Sequence, residues 1–221
     1  MLGFIWADGY IAKRERSMSN DNTRIEYNLK LALKEEDAGH VQKFLDCIES
    51  DYPVHLYKTT GYNNTDIIYE ARAFVTNKHM CSLLYEEYGV IPRRYDPTKI
   101  LTVIPKELEK YFILGLFDGD GSFTAYHGMY GDKMNVTFGG SVEILRFIEN
   151  HLVENGVVLK ADTESGERKV AIRHEGKDGT WRSLRFAGKR QGMKIVNYLY
   201  QDTPIYLDRK YQKYLNLPYH E

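Results

Sequence analysis

Between residues 23 and 33 apolar and polar side chains alternate without a break. Ile25, Tyr27, Leu29, Leu31 and Leu33 fall on one face and Arg24, Glu26, Asn28 and Lys30 on the other. A period of two predicts a strand with one face covered and the other wet. The period then changes: in AGHVQKFLDCIES, residues 38–50, Val41, Phe44, Leu45 and Ile48 recur at helical spacing. Strands are predicted at 54–58 and 67–75, joined by the Asn- and Gly-rich stretch TTGYNNTD. MCSLLYEEYGV, residues 80–90, reads as a helix closed by Gly89.

The same succession returns after residue 121. Strands are predicted at 122–127 and 133–138, the second with Met134, Val136 and Phe138 inward and Lys133, Asn135 and Thr137 outward. A helix follows at 141–152, then strands at 157–163, 169–174 and 180–188, then a helix at 192–201. Residues 91–110 form the joint, with Pro105 suited to the first turn of the helix it leads into. The expected fold class is α+β: two pseudo-symmetric αββαββα-type repeats, residues 1–100 and 101–221, each with an antiparallel sheet and packed together through their first helices.

Those first helices are MLGFIWADGYIA and YFILGLFDGDGSF, where Gly3, Ala7, Asp8 and Gly9 recur 112 positions later as Gly115, Gly119, Asp120 and Gly121. Gly3 and Ala7, like Gly115 and Gly119, are four apart, so each pair shares a helix face and lets a second backbone come close. The other positions (Met1, Leu2, Phe4, Ile5; Phe112, Ile113, Leu114, Leu116, Phe117) are apolar all round, as for an element sandwiched between halves. Packed side by side, the helices would bring Asp8 and Asp120 together at their C-terminal ends, where the dipole disfavours an anion by about 0.3–1 kcal/mol each. A divalent cation held by both, completed by phosphate oxygens and water, would relieve that conflict. A calcium loop does not account for DGDGS, because the sixth and twelfth positions from Asp118 are Phe123 and Met129 rather than Gly and Glu. A dinucleotide-binding glycine loop fails at Thr124.

Composition narrows the setting. The longest apolar run is far short of the roughly 20 residues a bilayer requires, and the opening segment lacks the basic flank and cleavage site of a signal peptide. Cys47 and Cys81 are isolated, with no CxxC, and read as reduced thiols. An intracellular setting is expected: the cytoplasm of a prokaryote or phage-infected cell, or an organelle. The net charge of −1 hides segregation: residues 167–190 hold eight Lys or Arg against three acids, and residues 35–51 one Lys against six acids. A chain segregated in this way can present a basic face to nucleic acid.

Both acidic stretches resemble the LAGLIDADG motif of homing endonucleases, in the single-chain form with two motifs. The order of elements after each motif, down to IYLDRKYQKYL as closing helix, extends the resemblance over nearly the whole chain. The resemblance implies two saddle-shaped sheets straddling double-stranded DNA, and hydrolysis of one phosphodiester on each strand across the minor groove to leave short 3′ overhangs. It implies Mg²⁺ shared by Asp8 and Asp120, with Gly9 and Gly121 beside them in the metal site and Mn²⁺ or Ca²⁺ able to substitute for binding. A basic residue near the cleavage centre late in each half would be Lys210 in the second and Arg94 or Lys99 in the first. Trp6, where the second motif has Asp118, reads as packing. Bases would be read by outward strand residues: Arg24, Glu26, Asn28, Lys30, Glu70, Arg72, Lys133, Asn135 and Thr137, joined by Arg182 and Arg185 from the last strands, where the alternation does not fix which face each takes. The partner would be an extended duplex, bound by a monomer with pseudo-twofold symmetry and no membrane association. Two other classes share the motif. An RNA maturase could lose the acids, which are present here; an inactive DNA-binding regulator usually appends a helix-turn-helix, whereas NLPYHE alone follows the last helix.

Overall fold

The computed structural model describes residues 1–17, 23–60, 66–91, 97–129, 131–159, 173–174 and 182–218. The first half runs α1 (Leu2–Asp8), β1 (Gly9–Ser17), β2 (Thr23–Lys34), α2 (Ala38–Cys47), β3 (His55–Thr60), β4 (Ile67–Val75) and α3 (Lys78–Glu86). After α4 (Thr98–Val103) come α5 (Glu109–Asp120), β5 (Ser122–Gly128), β6 (Gly131–Gly140), α6 (Val142–Glu154), β7 (Arg173–His174), β8 (Arg182–Ala187) and α7 (Lys189–Tyr200), with α8 (Asp208–Leu215) last. The fold is α+β, with the helix–strand–strand order of each half repeated in the other. Contacts divide the chain into two compact units, one of Met1 with Asp8–Val103 and one of Leu2–Ala7 with Ile104–Glu221.

In the first unit the strands form an antiparallel sheet in the order β1-β2-β4-β3. Its inner face buries Tyr27, Leu29, Leu31, Ala71, Ala73 and Val75, and α2 covers β2 and β4 with Val41, Phe44 and Leu45. Full burial of a Leu, Val or Phe side chain contributes roughly 1.5–3 kcal/mol and of an Ala much less, so the alternation read in the sequence also places the core. Asn77 opens α3 by accepting the Met80 N–H at 2.9 Å. Gly89, at φ +65°, turns the chain so that the Val90 N–H reaches the Leu84 carbonyl at 2.9 Å.

The second unit repeats the order as β5-β6-β8-β7, packed by α5, α6 and α7. Phe117 of α5 is fully buried among the rings of Phe123, Phe138 and Tyr200, at centroid distances of 6.1, 5.1 and 6.3 Å. Three sequence expectations change here. Residues 157–159 are not a strand: the Val157 and Val158 N–H groups donate to the Leu152 carbonyl at 2.9 and 3.2 Å after Gly156 at φ +67°, so this apolar pair seals the end of α6. The rest of that strand, residues 169–172 of the next and the turn at 61–65 lie outside the described residues. Pro105 precedes a short 3₁₀ turn, Lys106–Leu108, and α5 itself begins at Glu109. The joint also contains α4, whose six residues are too few to show a helical period.

Leu2–Ala7 of α1 belong to the second unit because α1 lies against α5. A Cβ added at Gly3 would stand 1.9 Å from the Phe112 carbonyl oxygen, and one at Gly115 would stand 2.5 Å from the Phe4 nitrogen. Both obstacles are backbone, which cannot swing aside as a side chain could. Phe4, Ile5 and Trp6 are buried around the crossing. We therefore expect Gly3→Ala or Gly115→Ala to destabilise the protein at or above the top of the ~1–3 kcal/mol range typical of overpacking. Urea denaturation checks this; a loss below about 1 kcal/mol for both variants would contradict the close crossing.

Candidate active site

Each motif helix ends on its acid. Asp8 is the last residue of α1 and half-buried, with β1 beginning at Gly9; Asp120 is the last residue of α5 and exposed. Ala7 and Gly119, one turn beyond the glycines at the crossing, are half-buried. The end of α5 is fixed from several sides. Asp118 keeps 3% of its surface, and its carboxylate accepts the Tyr200 hydroxyl and the Leu207 N–H, both at 2.9 Å. A buried carboxylate is tolerated when donors meet it, and here they come from α7 and from the residue leading into α8. Burial, reinforced by the Asp118 carboxylate, pushes the Tyr200 phenol far up, so it remains a proton donor at any ordinary pH.

Lys210 completes the arrangement. Its buried ammonium donates to the carbonyls of Phe117 and Gly121, both at 2.6 Å, with that of Gly119 at 3.5 Å. The last carbonyls of a helix have no partner within it, and a cation there also complements the dipole. Lys213 acts similarly one step on, donating to the Phe123 carbonyl at 2.5 Å. Lys210, expected beside the cleavage centre, is thus placed as a cap on the second motif helix. Gly121, expected at the metal, offers its carbonyl to that ammonium, so a metal ion on the same oxygen would set two cations on one acceptor. A Cβ at Gly121 would stand 2.7 Å from the Phe117 oxygen, so the turn admits no side chain. In the first half, the Lys99 ammonium donates to the Glu86 carbonyl at 2.5 Å, and Arg94 lies outside the described residues.

Most of the residues expected to read DNA share strand faces. Opposite residues in an antiparallel ladder point the same way. Arg24, Glu26, Asn28 and Lys30 of β2 pair with Arg16, Arg14, Ala12 and Tyr10 of β1, and Lys30 pairs with Phe74, which alternates with Glu70 and Arg72 on β4. Arg72 and Glu70 pair in turn with His55 and Tyr57 of β3. The outer face of this sheet is therefore rich in arginine and aromatic side chains. In the second unit, Lys133, Asn135 and Thr137 pair with Tyr126, Thr124 and Ser122 of β5, and Thr137 also with Arg185. Arg182 does not join them: it pairs with Gly140 and alternates with Leu184 and Phe186 on the core side. Arg182 and Arg185 are three positions apart, and a period of two puts them on opposite faces. Sequence reasoning passed over Tyr10, Arg14 and Arg16, although YIAKRERSM carries the same period, and over His55 and Tyr57, whose short strand shows no clear alternation.

No family model matches the sequence, and no curated protein matches it either. The fold is that of the LAGLIDADG homing endonucleases, in agreement with the resemblance carried by the two motifs. Among the solved structures it is similar to is I-SmaMI bound to cleaved DNA, at 13% identity and TM-score 0.59, covering 97% of this chain and 85% of that one. I-GzeII in complex with its DNA target is 10% identical, with TM-score 0.55 and coverage of 97% and 86%. I-LtrWI bound to target DNA is 11% identical, with TM-score 0.54 and the same coverage. At these identities the likeness is one of fold.

The end of α5 yields a stability prediction. Tyr200→Phe removes a hydrogen bond to the buried Asp118 carboxylate, and Lys210→Met takes the ammonium donor from the Phe117 and Gly121 carbonyls. Each is expected to cost about 1.5–3 kcal/mol, the range for hydrogen bonds involving a charged group. Asp120→Asn, on an exposed side chain, is expected to change stability by less than about 0.5 kcal/mol. Thermal or urea unfolding of the three variants tests the contrast, and equal losses in all three would refute it.

Proposed function

We propose that the chain is a site-specific endonuclease for double-stranded DNA. It hydrolyses one phosphodiester on each strand to leave short 3′ overhangs, and a divalent cation such as Mg²⁺ is held by Asp8 and Asp120. The observation that carries this reading is a pair of short-spaced glycine helices, touching at Gly3 and Gly115, that both terminate in aspartate. Solved structures of this fold include endonucleases bound to DNA.

The donor set suits a hard cation. Carboxylate oxygens match Mg²⁺, and among the described residues no group of three or more His, Cys, Asp and Glu gathers as a metal cluster. The remaining ligands then fall to phosphate oxygens and water, which Mg²⁺ accepts readily. When bound, such an ion neutralises charge building on the phosphate and lowers the pKa of a coordinated water. The rest is done by the chain. The outer sheet faces bind and orient the duplex, with arginines and lysines on phosphates and polar side chains on base edges. Lys210, Asp118 and Tyr200 hold the end of α5 and so the direction of Asp120. Both halves lie in one chain, so the active species is a monomer, working on DNA inside the cell. Among the described residues no helix is long and apolar enough to cross a membrane.

Asp8→Asn and Asp120→Asn are each expected to abolish cleavage while leaving DNA affinity unchanged or slightly tighter, because a negative charge facing phosphates is removed. The assay incubates each protein with a randomised target library and Mg²⁺, sequences the cut ends, and measures binding separately. A variant that cuts both strands at the wild-type rate sinks the metal assignment. Parallel loss of binding and cleavage makes the aspartates architectural.

DNA binding should also weaken steeply with salt despite the net charge of −1, with a log–log slope of about −0.9 for each phosphate contacted. An affinity unchanged between low and physiological salt counts against binding through the cationic sheet faces.

A further inference from the structure

Arg72 and Glu70 are two residues apart on β4 and point to the same face. The Nε and Nη2 of Arg72 both donate to Glu70 Oε2, at 2.9 and 2.8 Å. The guanidinium also lies over the Tyr57 ring, 4.6 Å from its centroid. Tyr57 is itself held edge-on by Phe74 at 5.9 Å and His55 at 6.2 Å. Other arginines of this face are differently placed. Arg16 and Arg24 approach Glu26 at 3.1 and 4.0 Å with 66% and 67% of their side chains exposed, against 20% for Arg72. A free arginine loses rotamer entropy when it meets a ligand, whereas one held on both its edge and its plane has lost that freedom already on folding.

A guanidinium has two edges that present a pair of parallel donors. Glu70 takes the edge formed by Nε and Nη2. The distal edge, Nη1 with the second hydrogen of Nη2, meets no partner among the described residues. Two parallel donors held in a fixed plane match the O6 and N7 acceptors of guanine in the major groove. We propose that Arg72 reads one guanine of the DNA target, and that Glu70 and Tyr57 are positioning residues that fix its plane rather than base readers. The inference rests on the DNA-binding reading above. It gives Glu70 a role other than reading a base itself, such as by accepting from a cytosine amine, and brings in Tyr57 through its ring.

The test sequences the DNA duplexes retained by the full-length protein from a randomised pool, without cleavage, for wild type and four variants. The wild-type pool is expected to show guanine at one position, and Arg72→Ala to reduce that preference about ten-fold or more while leaving other positions unchanged. Arg72→Lys should keep total affinity but lose the same guanine, because an ammonium cannot offer two parallel donors. Glu70→Gln and Tyr57→Leu should weaken that one preference several-fold, an effect on a single base that a merely structural role does not produce. Preferences left intact by Arg72→Ala and Arg72→Lys overturn the inference while leaving the endonuclease reading standing. So does a relaxed cytosine elsewhere in the Glu70→Gln pool with the guanine retained. A wild-type pool without any base preference overturns both.

Discussion

Where α1 crosses α5, no side chain separates the two backbones, and much else is set by that approach. A helix of seven residues is far below the roughly 12–15 at which an isolated helix becomes even marginal in water, so α1 owes its existence to what it packs against. The glycine pair permits the contact, and Phe4, Ile5 and Trp6 bury the surface around it. Since both partners are backbone, the crossing point has little room to slide. The position at which each helix ends, and with it the placement of an acid one residue past the small face, follows from that anchor.

The two helix ends are built differently. At the position that follows Ile5, α1 carries Trp6, a buried ring; α5 carries Asp118, a buried charge tied to Tyr200 and Leu207. The carboxylate is stable there because directional donors meet it, and the neighbouring ammonium of Lys210 ties the Phe117 carbonyl to that of Gly121 just beyond the helix. The abrupt passage from an apolar helix to Asp-Gly-Asp-Gly therefore divides into two tasks. Asp118 faces inward and ties three elements together, while Asp120 faces outward and stays exposed.

Periodicity made the architecture legible. The alternation in TRIEYNLKLAL and KMNVTF fixed both central strands and their inner faces, because burying one side of a pleat forces that pattern. The repeat of Gly3 and Asp8 at Gly115 and Asp120 identified the helix pair. What escaped was decided by contacts distant in sequence. Val157 and Val158 have the composition of a strand, yet they bond back to Leu152. The role of Lys210 depends on carbonyls some ninety positions earlier, which no local pattern encodes. The local alternation left the faces of Arg182 and Arg185 open, and the ladder put them on opposite sides.

The grouping of Leu2–Ala7 with the second unit has a consequence for how the protein is made. The segment that seats against Phe112 and Leu116 leaves the ribosome about a hundred residues before they do. At synthesis rates of about 5–20 residues per second, that is a wait of roughly 5–20 s. During that interval an apolar peptide with a tryptophan and a phenylalanine has no groove to enter, while the strands that follow it can already pair. Helix α1 is thus made early and seated late, and the nascent chain carries this apolar segment without its partner until the second motif is complete.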